Sequence, residues 1–324
     1  MQKEELFYEL KEKLNSGEIT SQEILTSLDL PTSNTQESSS HKSSFSVTKM
    51  LYILGSVVAV IGLVIFVVQI WDDLGSFGHI FVTLGLGLLF TGLGSMLLNQ
   101  KPNDHIGPIF HFIGGVLIPS GSLVLLDEMN IDLTSVWPVV FAFGTIFIFY
   151  LLLNQYHKHA VLTFFAIANG TTFIYLLAEA ILDGPFYKHD DFYAYLTMAV
   201  GASYLLLAHS FKDTWNKKLL VLLYFFGSTG LLGAAFTRVY DSGFWELFYF
   251  LLVFAVLYLS VYMKSTSILA VGTFFLIAHF TYITDQYFSD SLGWPISLVI
   301  LGFIFIGLAY ASVNINKKFI NSPQ

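Results

Sequence analysis

From about Met50 to Ser312 the chain is written as long apolar runs separated by short polar breaks. Ten runs can be delimited, at 50–70, 77–98, 106–126, 136–153, 160–182, 192–210, 219–236, 244–263, 267–285 and 294–312. Each is near the ~20 residues a helix needs to cross hydrocarbon. Such runs must be helical, because a helix pairs its own backbone groups where water is absent. A transmembrane barrel would show short alternating strands instead. The breaks are mostly under ten residues long, so consecutive helices are expected to be antiparallel neighbours.

The first 47 residues follow different patterns. Leu6, Phe7, Leu10 and Leu14 share one helical face. Gly17 can take the left-handed position after that helix. Thr20-Ser21-Gln22-Glu23 reads as a capping box opening a second helix, with Ile24, Leu25 and Leu28 on its apolar side and Pro31 ending it. Two helices in residues 1–30 bury too little to stand alone. They are expected to dock on a cytoplasmic partner or a second copy, or else to be a tail with nascent helices. Residues 31–47 contain seven serines in 17 positions and read as a flexible linker.

Charge then gives the threading. With the N-terminus inside, 13 of the 15 basic residues lie on the cytoplasmic side, and only Lys188 and Arg238 lie outside. The outer loops are acidic: Asp72, Asp73, Asp127, Glu128, Asp132, Asp183, Asp190, Asp191, Asp241, Asp285 and Asp290. Positive loops stay in the cytoplasm, and a miscounted span would scramble the alternation. Trp71, Trp137, Trp245 and Trp294 mark outer boundaries and Trp215 an inner one, as amphipathic rings prefer. The fold class expected is all-α: a polytopic bundle of about ten transmembrane helices over 48–316, a cytoplasmic N-terminal hairpin, and a cytoplasmic tail at 317–324.

Composition agrees. The chain is 55% hydrophobic and only 12% charged, against about 25% charged in a soluble domain. It has no cysteine, which removes disulfides, thiolate metal sites and thiol nucleophiles. The net charge of −8 speaks against a nucleic-acid-binding face. The first apolar run begins too late for a cleavable signal peptide.

Two readings of the helical hairpins stay open, a repeated unit or equal lengths set by the bilayer. LLNQ ends the second span at Asn99-Gln100 and recurs at Asn154-Gln155, an interval of 55 residues. A bilayer of one thickness with short loops gives equal hairpins without duplication, and only the LLNQ match favours a repeat. On this register Gly114, Asn169, Tyr224 and His279 sit at equal depth.

Polar groups inside spans are costly and often functional. The candidates are His279, Asn169, Glu179 and His111. Asn169 and His279 can bridge helices as packing glue or line a solute path. Glu179 can carry a proton if burial raises its pKa. His79, His209, Glu246 and Asp285 lie near enough to the interfaces to reach water. Pro119 removes a backbone donor and, with Gly121, forms a candidate hinge in the third span; close helix packing is the other use of that glycine. Asp72-Asp73 and Asp190-Asp191 read as solvated loop charge. No metalloprotease, hydrolase, phosphate-loop or dinucleotide motif is present, so no metal, cofactor or catalytic group is expected.

Three stretches carry a resemblance. They are the turn Gly17-Glu18-Ile19-Thr20, the first span with Phe66 and Trp71-Asp72 in a Phe-x-x-x-x-Trp-Asp ending, and the Gly-rich third span GGVLIPSGSLVLLDEMNI. Over about the first 135 residues the chain resembles a bacterial family of predicted integral membrane proteins of unknown function. The resemblance implies a bacterial inner (plasma) membrane location, with both termini cytoplasmic as the charges require, and no established chemistry. The functional expectation is a small-solute carrier, not an enzyme. The alternative is a non-catalytic membrane sensor or assembly factor that binds a partner through residues 1–30. An intramembrane enzyme would need a clustered Ser/His or carboxylate set, which the sequence lacks.

Overall fold

A computed structural model describes residues 71–100, 106–132, 134–182, 188–288 and 294–315, with scattered positions between 54 and 69 and at 317–318. The expected N-terminal hairpin and linker lie outside the described residues, as do most of the first span and of the C-terminal tail. The chain divides into two compact units, Met1–Val68 and Gln69–Gln324. In the first, the described positions are helical.

The second unit is built of helices. They are α1 (Ser76–Gln100), α2 (Ile106–Glu128), α3 (Trp137–His157), α4 (Ala160–Leu182), α5 (Asp190–Phe211), α6 (Leu220–Thr237), α7 (Gly243–Tyr262), α8 (Thr266–Phe288) and α9 (Trp294–Ile315). Among the described residues, eight helical stretches, covering α1 to α8, are long and apolar enough to cross a membrane. Large apolar side chains such as Phe77, Phe141, Phe244, Leu247 and Leu251 are exposed on them. In water that surface would be untenable, and in lipid it is the solvated face. The chain is a multi-pass helical membrane protein.

Helix ends follow local chemistry. Pro138 sits in the first turn of α3, where its missing N–H costs nothing. Asp190 and Asp191 occupy the first turn of α5, at the positive end of the helix dipole. Lys158 ends α3 in the left-handed region (φ 49°, ψ 52°) with its N–H on the Asn154 carbonyl. Lys264, just beyond α7, is also left-handed (φ 51°). α3 runs four residues past the predicted 153, to His157. Hydropathy marks where the chain leaves hydrocarbon, and a helix can continue into the polar layer.

The hairpin is the structural unit. α1 packs along α2, α3 along α4, α5 along α6 and α7 along α8, each pair joined at the lysine-bearing end. The second helix of each pair is the inner one. In α2, α4, α6 and α8, 39, 39, 39 and 33% of the apolar window is buried, against 17, 17, 22 and 22% in their partners. The two left-handed caps lie 106 residues apart, or 53 per hairpin. In that register Asn169 aligns with Phe275, and His279 lies a turn further toward the acidic end. The helix ends at the lysine-bearing side, Gln100, His157, Phe211 and Tyr262, are 57, 54 and 51 residues apart, so the 55-residue LLNQ interval is not a fixed period of the helix ends.

Glycines set the closest approaches. A Cβ at Gly201 (α5) would stand 2.5 Å from Leu231 N and 2.7 Å from Gly227 O on α6. On α2, a Cβ at Gly114 would stand 2.2 Å from Thr91 Oγ1, and one at Gly121 2.4 Å from Leu84 N. Such contacts let helices associate where lipid offers no hydrophobic drive.

Two cores result. Ile118, Ile146, Tyr150, Leu162, Phe165 and Ala166 form one among α2, α3 and α4. The other fills α5 to α8, with Leu232, Val239, Tyr249, Val253, Ile268 and Leu276 essentially buried. Only the basic end of α4 belongs to both: Ala160, Phe164 and Ile167 pack against the second core. The seam between the two hairpin pairs thus runs along α4 and α5.

Candidate functional site

One line of side chains on α4 faces the seam. Thr163, Ile167, Thr171, Tyr175 and Glu179 are spaced by four residues, which places them above one another on a helix. The character of the seam changes along that line.

At the basic end the seam is shut. The Thr163 hydroxyl donates to Asn216 Oδ1 (2.7 Å), and Asn154 Oδ1 lies 3.0 Å from the same oxygen. Asn216 sits in the tight helical turn Trp215–Leu219 between α5 and α6 and is 3% exposed. The Thr214 side chain holds that turn by accepting from Asn216 N–H. His159 Nδ1 lies 3.2 Å from the Val161 N–H, an acceptor role open to neutral imidazole. Burial, with Lys218 and His157 nearby, pushes the His159 pKa down from its usual value. Lys158 lies over the Trp215 ring, 5.8 Å from its centroid.

Further along, α4 and α5 scarcely meet main chain to main chain, and long polar side chains span the gap. Thr171 Oγ1 and Tyr204 OH are 2.6 Å apart. Tyr175 OH is 2.7 Å from Thr197 Oγ1, which donates to the Tyr193 carbonyl at 2.7 Å. The Tyr175 and Tyr193 rings stack with centroids 6.3 Å apart and an angle of 9°.

At the acidic end the seam holds an open cleft of about 300 Å³ lined by Thr171, Thr172, Tyr175, Leu176, Glu179 and Tyr193. That volume lies at the small end of ligand sites. Glu179 is half-buried, and among the described residues no basic side chain pairs with it. Of the two outer cations, Lys188 stands exposed in the loop between α4 and α5 and makes no ion pair with Glu179, and Arg238 is engaged with Asp191 and, at 2.7 Å, with Asp241.

The remaining predicted residues go elsewhere. Asn169 is buried, but its Nδ2 donates to the Phe165 carbonyl one turn back (2.8 Å), so its amide serves its own helix. His111 is fully buried in the first hairpin pair. Its Nε2 is 3.5 Å from Ser95 Oγ, at the limit of a bond, and its Nδ1 has no partner. His279 is fully buried in the second core, against Phe250 (ring centroids 4.4 Å) and Tyr249 (4.8 Å). The Glu246 carbonyl approaches His279 without reaching hydrogen-bond geometry, and both ring nitrogens are unpaired. The four residues therefore do not share one cavity.

α2 runs through Pro119 as a single helix. Gly121 is a packing position, against the main chain of a π-helical turn in α1, Phe81–Gly85. The Thr83 hydroxyl donates to the His79 carbonyl (2.7 Å) in that turn. π-turns are local interruptions of the helical ladder, and no residue pattern here announces this one. At the same acidic end, His79 bonds Glu128 and the Trp71 carbonyl (2.8 Å), clamping α1 to α2.

The residues that sequence reading missed are Thr171, Tyr175, Tyr193, Thr197 and Tyr204. Their signal was present: Thr171 and Tyr175 at four-residue spacing with Glu179 in one span, and Tyr193, Thr197 and Tyr204 at spacings of four and seven in the next. Among the described residues no set of three His, Asp or Glu side chains comes together as metal ligands. No family model, curated protein or solved structure matches this chain.

Proposed function

We propose that this protein is a small-solute carrier whose path is the seam between α4 and α5, and that it is not an enzyme. The observation that carries the reading is the seam's asymmetry: latched at the lysine-bearing end and open at the other, where Glu179 and a few hydroxyls stand on a largely apolar wall. In carriers built of repeated helical units, alternating access moves one bundle against another around a central site. Two hairpin pairs, each with its own core, that meet through Ala160, Phe164 and Ile167 at the basic end and through side-chain hydroxyls beyond it, suit such a motion. Packed cores move as bodies more readily than they deform.

The topology proposed with it has ten spans, the lysine-bearing end in the cytoplasm and both termini inside. That follows from the distribution of basic residues. The open cleft then faces outward. The likeness to bacterial inner-membrane proteins of unknown function is part of the same reading.

The test is reconstitution of the purified full chain in vesicles exposed to a mixed panel of amines, amino acids, sugars and nucleosides. At least one solute should accumulate above protein-free vesicles, saturably and in exchange for itself. No solute moving above that background contradicts the carrier.

A further inference from the structure

We infer that the cleft at the acidic end of the seam binds a small organic ammonium ion, with Glu179 as counter-charge and the Tyr175–Tyr193 stack as its aromatic wall. The inference deepens the carrier reading and rests on it. Binding and movement are therefore measured separately, so that either can fail alone.

Three independent features converge on this chemistry. First, the cleft holds one carboxylate, on Glu179, with no basic partner among the described residues. A half-buried unpaired carboxylate attracts a cation more strongly than a solvated one, because the surrounding dielectric is lower. Second, two tyrosines of the cleft stack on each other. Ring faces carry negative potential and favour ammonium groups, best where water is displaced. Third, the polar lining beside Glu179 is the hydroxyls of Thr171 and Thr172, the Tyr175 hydroxyl being held by Thr197 (2.7 Å). Hydroxyl oxygens accept from an N–H donor, and they leave an N-methyl group undisturbed.

The setting agrees. The predicted outer loops carry eleven acidic residues against Lys188 and Arg238, and Arg238 is bound to Asp191 and Asp241. An acidic rim raises the local concentration of cations. A bare metal ion fits poorly: one carboxylate and a few hydroxyls fall short of the six to eight oxygens calcium takes, and no set of three metal-ligating side chains forms among the described residues. An anion would meet the Glu179 charge directly. About 300 Å³ accepts an ammonium with a short chain or a single ring.

An ammonium group can arrive free in water or on a lipid headgroup, and the experiment separates the two. Binding of tetraethylammonium, choline and benzyltrimethylammonium is measured by calorimetry on the full chain in phosphatidylglycerol nanodiscs. It is repeated as phosphatidylethanolamine is added. At least one cation should bind, and 3,3-dimethyl-1-butanol, the uncharged shape-match of choline, should not. Glu179→Gln should weaken binding about tenfold or more, while Glu179→Asp keeps it within a few-fold. Tyr175→Phe should retain affinity and Tyr175→Leu should lose it several-fold, because the ring face and not the hydroxyl does the binding. A fall in apparent affinity as phosphatidylethanolamine rises assigns the site to the lipid headgroup. No such fall assigns it to a free solute. The inference is overturned if no cation binds, if the neutral alcohol binds as well as choline, or if folded Glu179→Gln binds like wild type. Glu179-dependent binding without uptake upholds the ammonium site and removes the carrier. Uptake of another solute without ammonium binding does the reverse.

Discussion

Replacing Gly201 by leucine should leave little folded protein. A single Cβ there already comes within 2.5 Å of Leu231 N and 2.7 Å of Gly227 O. Both are main-chain atoms of α6 and cannot rotate aside. A leucine adds three more carbons to that contact, so α5 must move off α6 along its length. Overpacking at side-chain contacts costs about 1–3 kcal/mol, and a clash with fixed backbone lies above that range. The pair has little to offset it, because small-residue contact is itself what holds helices together in lipid. Gly92→Leu is the matched control, since nothing lies within 4 Å of a Cβ at Gly92. Size-exclusion profiles and thermal unfolding in detergent should show G92L near wild type and G201L aggregated or strongly destabilised. Equal behaviour of the two would mean that α5 and α6 are not in close contact.

Oxidation of the double variant Thr163→Cys/Asn216→Cys should abolish solute movement, and reduction should restore it. The two side chains touch through Oγ1 and Oδ1 at 2.7 Å; because the Asn216 oxygen sits one carbon beyond its Cβ, bringing the Cβ atoms to the about 3.5–4.5 Å a disulfide needs draws the turn slightly toward α4. The natural chain has no cysteine, so within one molecule the only disulfide that can form is the intended one. It would tie α4 to the Trp215–Leu219 turn and fix the basic end of the seam shut. A carrier that must open there is stopped outright, with flux falling to the protein-free level. The reduced protein should keep measurable flux, since only the latch hydrogen bonds are lost. Unchanged flux in the fully oxidised protein would mean that solute does not cross this end of the seam.

Much of the fold was legible in the sequence. Length and hydropathy placed the described spans within a few residues, because hydrocarbon thickness dictates helix length. Lysines and aspartates grouped the loops into two sets, and the same two sets lie at opposite ends of the hairpins. The site was legible only in part. His279, Asn169, Glu179 and His111 were each weighed for their own polarity. Polarity alone does not say where a side chain points: Asn169 turns back on its own helix, and His279 is enclosed by aromatic rings. Glu179 gains meaning only beside Thr171 and Tyr175 on the same stripe, and beside Tyr193 on the next helix. The seam itself was not legible. It depends on which hairpins pack together, and helix pairing in lipid is decided by local shape at glycines such as Gly201 and Gly121, not by any periodic signal. The Pro119–Gly121 segment shows the same limit: proline suggested a hinge, and the structure uses the glycine for close contact inside a continuous helix.

The most direct measurement is a ladder of single cysteines at positions 163, 167, 171, 175 and 179, labelled in vesicles by a charged, water-soluble thiol reagent added from the acidic side. With the seam open at that end and latched at the other, cysteines at 179 and 175 should react fast and one at 171 more slowly. Those at 167 and 163 should stay unmodified until the protein is unfolded. Uniform protection along the stripe, or fastest reaction at 163, would contradict the account.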